Sequence, residues 1–111
     1  MSETTILIVE NEAIVAADLS AKLRRLGYEV AGIAAEGEEA VALAVDLRPH
    51  LVLIDIQLRG SMDGMEAAEA ILERYDVPVV YLTAYADPAM LDRAKLIGSF
   101  GFIIKPFDER D

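Results

Sequence analysis

Polar residues stand where apolar runs end: Glu10 and Asn11 after "ILIV", Asp55 inside "LVLIDI", Thr83 closing "PVVYLT" and Lys105 closing "GFIIK". A carboxylate within a run as apolar as the one around Asp55 is costly to bury unless partners compensate it. Carboxylates held within several ångströms repel by roughly 4 kcal/mol per pair at an effective dielectric of about 20, unless a cation relieves them. Mg²⁺ suits that task, because it takes oxygen ligands and keeps waters alongside one or two carboxylates and a phosphate. A cation, a lysine and a hydroxyl around one carboxylate form the electrostatic clamp that phosphoryl transfer requires. In that chemistry Asp55 is the nucleophile and the intermediate is an aspartyl phosphate.

These residues can meet only if the elements between them bring them together. Apolar runs rich in Val, Ile and Leu at 5–10, 28–33, 51–56, 78–83 and 101–105 read as strands. Three of them are apolar nearly throughout, as strands covered on both faces of a parallel sheet are. Helical periodicity fills the gaps. Over 12–26 it places Val15, Leu19, Leu23 and Leu26 on one face before Gly27 stops the run. Residues 37–47 form a second helix, ended by Pro49; 64–75 form a third with Met65, Ala68 and Leu72 on one face; 88–97 form a fourth between Pro88 and Gly98. Asp63 is placed to cap the third helix, with a turn at Gly60 and Gly64 before it. Strict alternation implies an α/β domain with right-handed crossovers. In such sheets ligands collect at the carboxyl ends of the strands, where Glu10, Asn11, Asp55, Thr83 and Lys105 converge.

Composition narrows the function. A chain of 111 residues, 54% of them hydrophobic, predicts one folded domain. No apolar run approaches the roughly 20 residues of a membrane span. Cysteine is absent and "MSETT" lacks the features of a secretory signal, so a cytoplasmic protein without membrane contact is expected. The net charge of −10, with no basic run longer than Arg24 and Arg25, argues against direct nucleic-acid binding. His50, the only histidine, reads as a solvent-facing loop residue.

Taken jointly, "ILIVENE", "PHLVLIDIQLRGSMDGMEA", "VPVVYLTAYAD" and "GFIIKPF" resemble, over the whole chain, a receiver domain of two-component response regulators, a chemotaxis-Y-like phosphoacceptor domain. The resemblance implies a flavodoxin-like, doubly wound, five-stranded parallel sheet of order 2-1-3-4-5 with helices on both faces. It also implies that Asp55 accepts a phosphoryl group from a histidine kinase and that Glu10 and Asn11, with Asp55 and the Gln57 backbone carbonyl, hold Mg²⁺. Thr83 and Lys105 match the phosphate-contacting pair, Thr83 and Phe102 the switch pair, and the Lys105–Pro106 bond is expected to be cis. Tyr85 and Gln57 occupy rim positions that control water access to the phosphate, and a bulky Tyr85 suggests slow dephosphorylation. The implied role is a switch acting on a fused or separate output domain.

The chain departs from that pattern in informative places. The second acidic position is Asn11, which keeps an oxygen but lacks a charge, so weakened Mg²⁺ binding is expected. Glu12 opens the first helix and does not simply replace it, although a rearranged site is conceivable. A degenerate receiver that works by protein contact alone is the first rival reading. A haloacid-dehalogenase-like phosphatase is the second, opposed by Gln57 where those enzymes carry a second Asp; a flavin-binding domain lacks the phosphate loop it would need after the first strand. After the fifth strand only "PFDERD" remains, so the helix that would follow is missing. The expectation is a receiver domain over 1–111, truncated before or at the start of that helix, with self-association through the face left bare as one way of covering it.

Overall fold

The computed structural model describes residues 4–56, 58, 60, 62–83 and 101–104, of which Thr83 and 101–104 are placed by their backbone. Strands β1 (Thr5–Val9), β2 (Glu29–Ala34), β3 (Leu51–Asp55), β4 (Val79–Thr83) and β5 (Gly101–Ile104) form one parallel sheet of order β2-β1-β3-β4-β5. Helices α1 (Ala13–Arg25), α2 (Gly37–Leu47) and α3 (Gly64–Leu72) connect the first four strands. The expected helix at 88–97, and everything expected of 105–111, lies outside the described residues. Among the described residues, no helix is long and apolar enough to cross a membrane.

Strands β1, β3 and β4 divide their side chains between two cores. Leu7, Val9, Val52, Ile54, Val79 and Tyr81 pack with Ala40 and Ala44 of α2 and with Met65, Ala68 and Ile71 of α3. Ile6, Ile8, Leu53 and Leu82 pack on the other face with Ala16 and Leu19 of α1. Burial of successive residues on opposite faces is why these strands read as continuous apolar runs.

The face of α1 follows the expected one at Leu19 and Leu23 and departs from it at Leu26. Ala16, Leu19 and Ser20 are buried, and Leu26 is 58% exposed. Small Ala16 and Ser20 let the helix lie close to the sheet, and Leu26 falls beyond the last helical turn. There the chain reverses through Gly27 at φ 98, with Gly27 N–H on the Arg24 carbonyl and Tyr28 N–H on that of Leu23, at 3.0 Å each. This double bond pattern is the Schellman ending.

The far ends of α2 and α3 are tied together. Arg48 adopts the left-handed conformation at the C-cap of α2 (φ 46, ψ 59), and its guanidinium lies 4.9 Å from the centre of the Tyr75 ring. The Tyr75 hydroxyl donates to the Pro49 carbonyl at 3.2 Å. Burial raises the Tyr75 pKa above its ordinary value, opposed in part by the Arg48 charge. A native value above the unfolded one makes the neutral phenol's contribution complete below about pH 10, to be lost as pH rises through the native value. Urea unfolding at increasingly alkaline pH should therefore show a steeper loss of stability in wild type than in Tyr75→Phe; parallel curves would refute this.

Candidate functional site

Register builds the site. Val9 lies opposite Ile54 across β1 and β3, and the ladder runs one residue past β1, where Glu10 N–H donates to the Ala34 carbonyl at 2.9 Å. Glu10 therefore comes level with Asp55 on the neighbouring strand. Alternation sets the face: Glu10 follows Ile6 and Ile8, and Asp55 follows Leu51 and Leu53, all directed to the α1 side. Both acids are sequestered, Glu10 at 2% and Asp55 at 5% exposure.

Local bonds hold these residues in place. Glu10 Oε2 accepts the Glu12 N–H at 3.1 Å, which fixes the carboxylate at the entry to α1. Glu12 itself is the N-cap residue, exposed and making no side-chain cap bond, so it opens the first helix as expected. Asn11, between them, is half-buried. Beyond Asp55, Ile56 N–H bonds the Leu82 carbonyl at 3.1 Å, so β3 and β4 remain paired up to the site.

Thr83 follows Leu82, the partner of Asp55, and is itself opposite Ile104. The backbone thus brings the carboxyl ends of β1, β3, β4 and β5 to one edge of the sheet. Phe102 sits in β5 opposite Tyr81. Gln57, Tyr85, Lys105 and Pro106 lie outside the described residues. His50 is at the opposite edge, just before β3, where its Nδ1 accepts the Thr5 N–H at 3.0 Å. Its place there, far along β3 from Asp55, is that of a tie between two strand starts.

A glycine seat beneath Asp55 was not read from the sequence. Gly64, the first residue of α3, donates its N–H to the Ile56 carbonyl at 2.9 Å. A Cβ there would drive into the Asp55 carbonyl oxygen and lie 2.8 Å from both Asp55 C and Ile56 Cα. Asp63 caps α3 as expected, and reciprocally: its Oδ1 accepts the Glu66 N–H at 2.8 Å while Glu66 Oε1 accepts the Asp63 N–H at 2.9 Å, a capping box.

The donors fit Mg²⁺ in kind. Buried, level carboxylates and a neighbouring amide are hard oxygen donors. Among the described residues no three His, Cys, Asp or Glu side chains gather as a ligand set.

A doubly wound sheet with sequestered acids at its carboxyl edge defines a class, and comparison identifies it. Residues 6–111 match the response regulator receiver domain, and the chain belongs to that family. It is 39% identical over 106 residues to the transcriptional regulatory protein PdtaR of Mycobacterium tuberculosis, covering 96% of this chain and 51% of that protein. The chain thus spans about half the length of the curated relatives it matches. The signal receiver domain of a modulated diguanylate cyclase from Desulfovibrio desulfuricans superposes with a TM-score of 0.90 at 38% identity, covering 98% of this chain and 86% of that one. The receiver domain of the sensor histidine kinase PA1611 from Pseudomonas aeruginosa, which has a magnesium ion coordinated in its active-site cleft, superposes with a TM-score of 0.85 at 30% identity over 98% and 90%. The chain is a flavodoxin-like receiver domain of the two-component type.

Proposed function

We propose that this receiver is a phosphorylation switch with Asp55 as its phosphoacceptor. The observation that carries the reading is the pair of sequestered carboxylates, Glu10 and Asp55, level with one another on adjacent strands and facing the same side. A carboxylate oxygen of Asp55 forms a P–O bond to phosphorus as the P–N bond of a kinase phosphohistidine breaks, and the departing imidazole nitrogen keeps the electron pair. Mg²⁺, when bound, neutralises the charge shared by the carboxylates and the phosphoryl oxygens. Glu10, Asn11, Asp55 and the Gln57 carbonyl would hold it. Thr83 and Lys105 would contact the phosphoryl oxygens, and Phe102 would respond to movement of Thr83; the meeting of the carboxyl ends of β1, β3, β4 and β5 at one edge supports this reading.

The switch acts on an output domain, fused or separate, and has no metabolic turnover of its own. Gln57 supports this, since it offers no carboxylate two residues after Asp55 to act as acid and base. Phosphorylation-independent binding is not favoured, because Asn11 retains an oxygen donor and Asp55 remains present and buried.

Intact mass after incubation with Mg²⁺ and acetyl phosphate tests the reading. Wild type should gain a single phosphoryl adduct, and Asp55→Ala should gain none. An adduct persisting in the variant, or none in folded wild type with excess Mg²⁺, would refute it.

A further inference from the structure

The loop that follows Asp55 is closed at its neck by Gly64 N–H on the Ile56 carbonyl, as in compact loops whose ends meet. Its outer part is braced by a different element. Gly60 turns at φ 100 beside Glu36, the N-cap residue of α2; a Cβ on Gly60 would lie 3.9 Å from Glu36 Oε2. Met62 lies against Gly37, the first residue of α2. A Cβ on Gly37 would fall 2.9 Å from both Met62 Cβ and Cγ and 3.1 Å from the Met62 carbonyl oxygen. Those contacts involve the root of the side chain and the backbone, so a methyl group on Gly37 could not be relieved by swinging the thioether away.

We infer that the first turn of α2, through the Gly37–Met62 contact, is a positioning element for the Asp55 site. Met62 precedes Asp63, which caps α3, and Gly64, which rests on the Asp55–Ile56 backbone. A displacement at Met62 is therefore passed within two residues to the peptide that carries the phosphoacceptor. Gly37 and Met62 touch no reacting atom; they act through the loop. The inference rests on the reading of Asp55 as a Mg²⁺-dependent phosphoacceptor. If the contact were packing alone, altering it would lower stability and leave the site unchanged in molecules that remain folded.

The test is Mg²⁺ titration of the full chain by calorimetry, with urea unfolding and Gly64 amide exchange measured alongside. Supporting groups around a metal site typically change affinity by about 10- to 100-fold. Gly37→Ala should fall at the low end of that range, with faster Gly64 exchange. Adding Met62→Gly, which removes the two side-chain atoms the methyl would strike and leaves only the carbonyl oxygen at 3.1 Å, should bring back tighter Mg²⁺ binding than Gly37→Ala alone. Unchanged affinity in Gly37→Ala, with only its stability reduced, would overturn the inference. Should that variant not fold, Met62→Ala loosens the same contact without crowding, and unchanged affinity there overturns the inference equally. Wild type that binds no Mg²⁺ would overturn the functional reading itself, and this inference with it.

Discussion

Gly64→Ala is expected to destabilise the domain by about 3 kcal/mol or more, at the upper end of what overpacking costs in a well-filled interior. The new methyl would meet backbone only: the Asp55 carbonyl oxygen, with Asp55 C and Ile56 Cα each 2.8 Å away. No rotamer change can relieve such a contact. Either α3 withdraws from the sheet, taking Met65 and Ala68 out of the core they share with Ile54, or the end of β3 bends and loses its bond to the Leu82 carbonyl. Gly27→Ala is the control. That glycine adopts a positive φ, at 98, as Gly64 does not, and has nothing within 4 Å of its missing Cβ, so only the left-handed penalty of about 1–2 kcal/mol applies. Urea unfolding of both variants separates crowding from conformation. A loss at Gly64 no larger than that at Gly27 would show that the seat under Asp55 is soft.

The contrast between these glycines explains what could be read from the sequence. Apolar runs gave the strands, most plainly β1, β3 and β4, which bury both faces and carry no polar residue between their ends. That made Asp55 stand out within "LVLIDI", and Glu10 and Asn11 at the end of "ILIV". Strand order came from the family resemblance; periodicity alone gives the alternation of elements and leaves their order in the sheet open. The burial of α1 was misread at Leu26, since a count of large apolar residues overlooks Ala16 and Ser20, whose small size is what brings the helix close. Gly37 and Gly64 escaped for the same reason: their contribution is an absent side chain. The extra residue of β2 opposite the step between Ile6 and Leu7, where the register shifts, left no trace in the pattern either. The site's acids were legible because charge in an apolar run is conspicuous, whereas its supports are backbone contacts.

Asn11→Asp should tighten Mg²⁺ binding by roughly tenfold or more, because affinity for a hard cation rises with the number of charged oxygen ligands. The same change should lower stability without the ion. A third carboxylate beside the sequestered Glu10 and Asp55 adds repulsion that water screens poorly at so buried a site. The two effects have opposite signs, so thermal unfolding with and without Mg²⁺ reads both: a lower midpoint in chelator, and a larger rise on adding the ion. A tenfold gain in affinity is worth about 1.4 kcal/mol of linked stability once Mg²⁺ is well above both dissociation constants. Glu12→Gln decides whether its neighbour could share the task. Glu12 is exposed and caps α1 through its backbone position, so its loss should leave Mg²⁺ affinity as in wild type. Were Glu12→Gln to abolish binding while Asn11→Asp changed nothing, the cation would be held from the helix side, and Asn11 would have no place among its ligands.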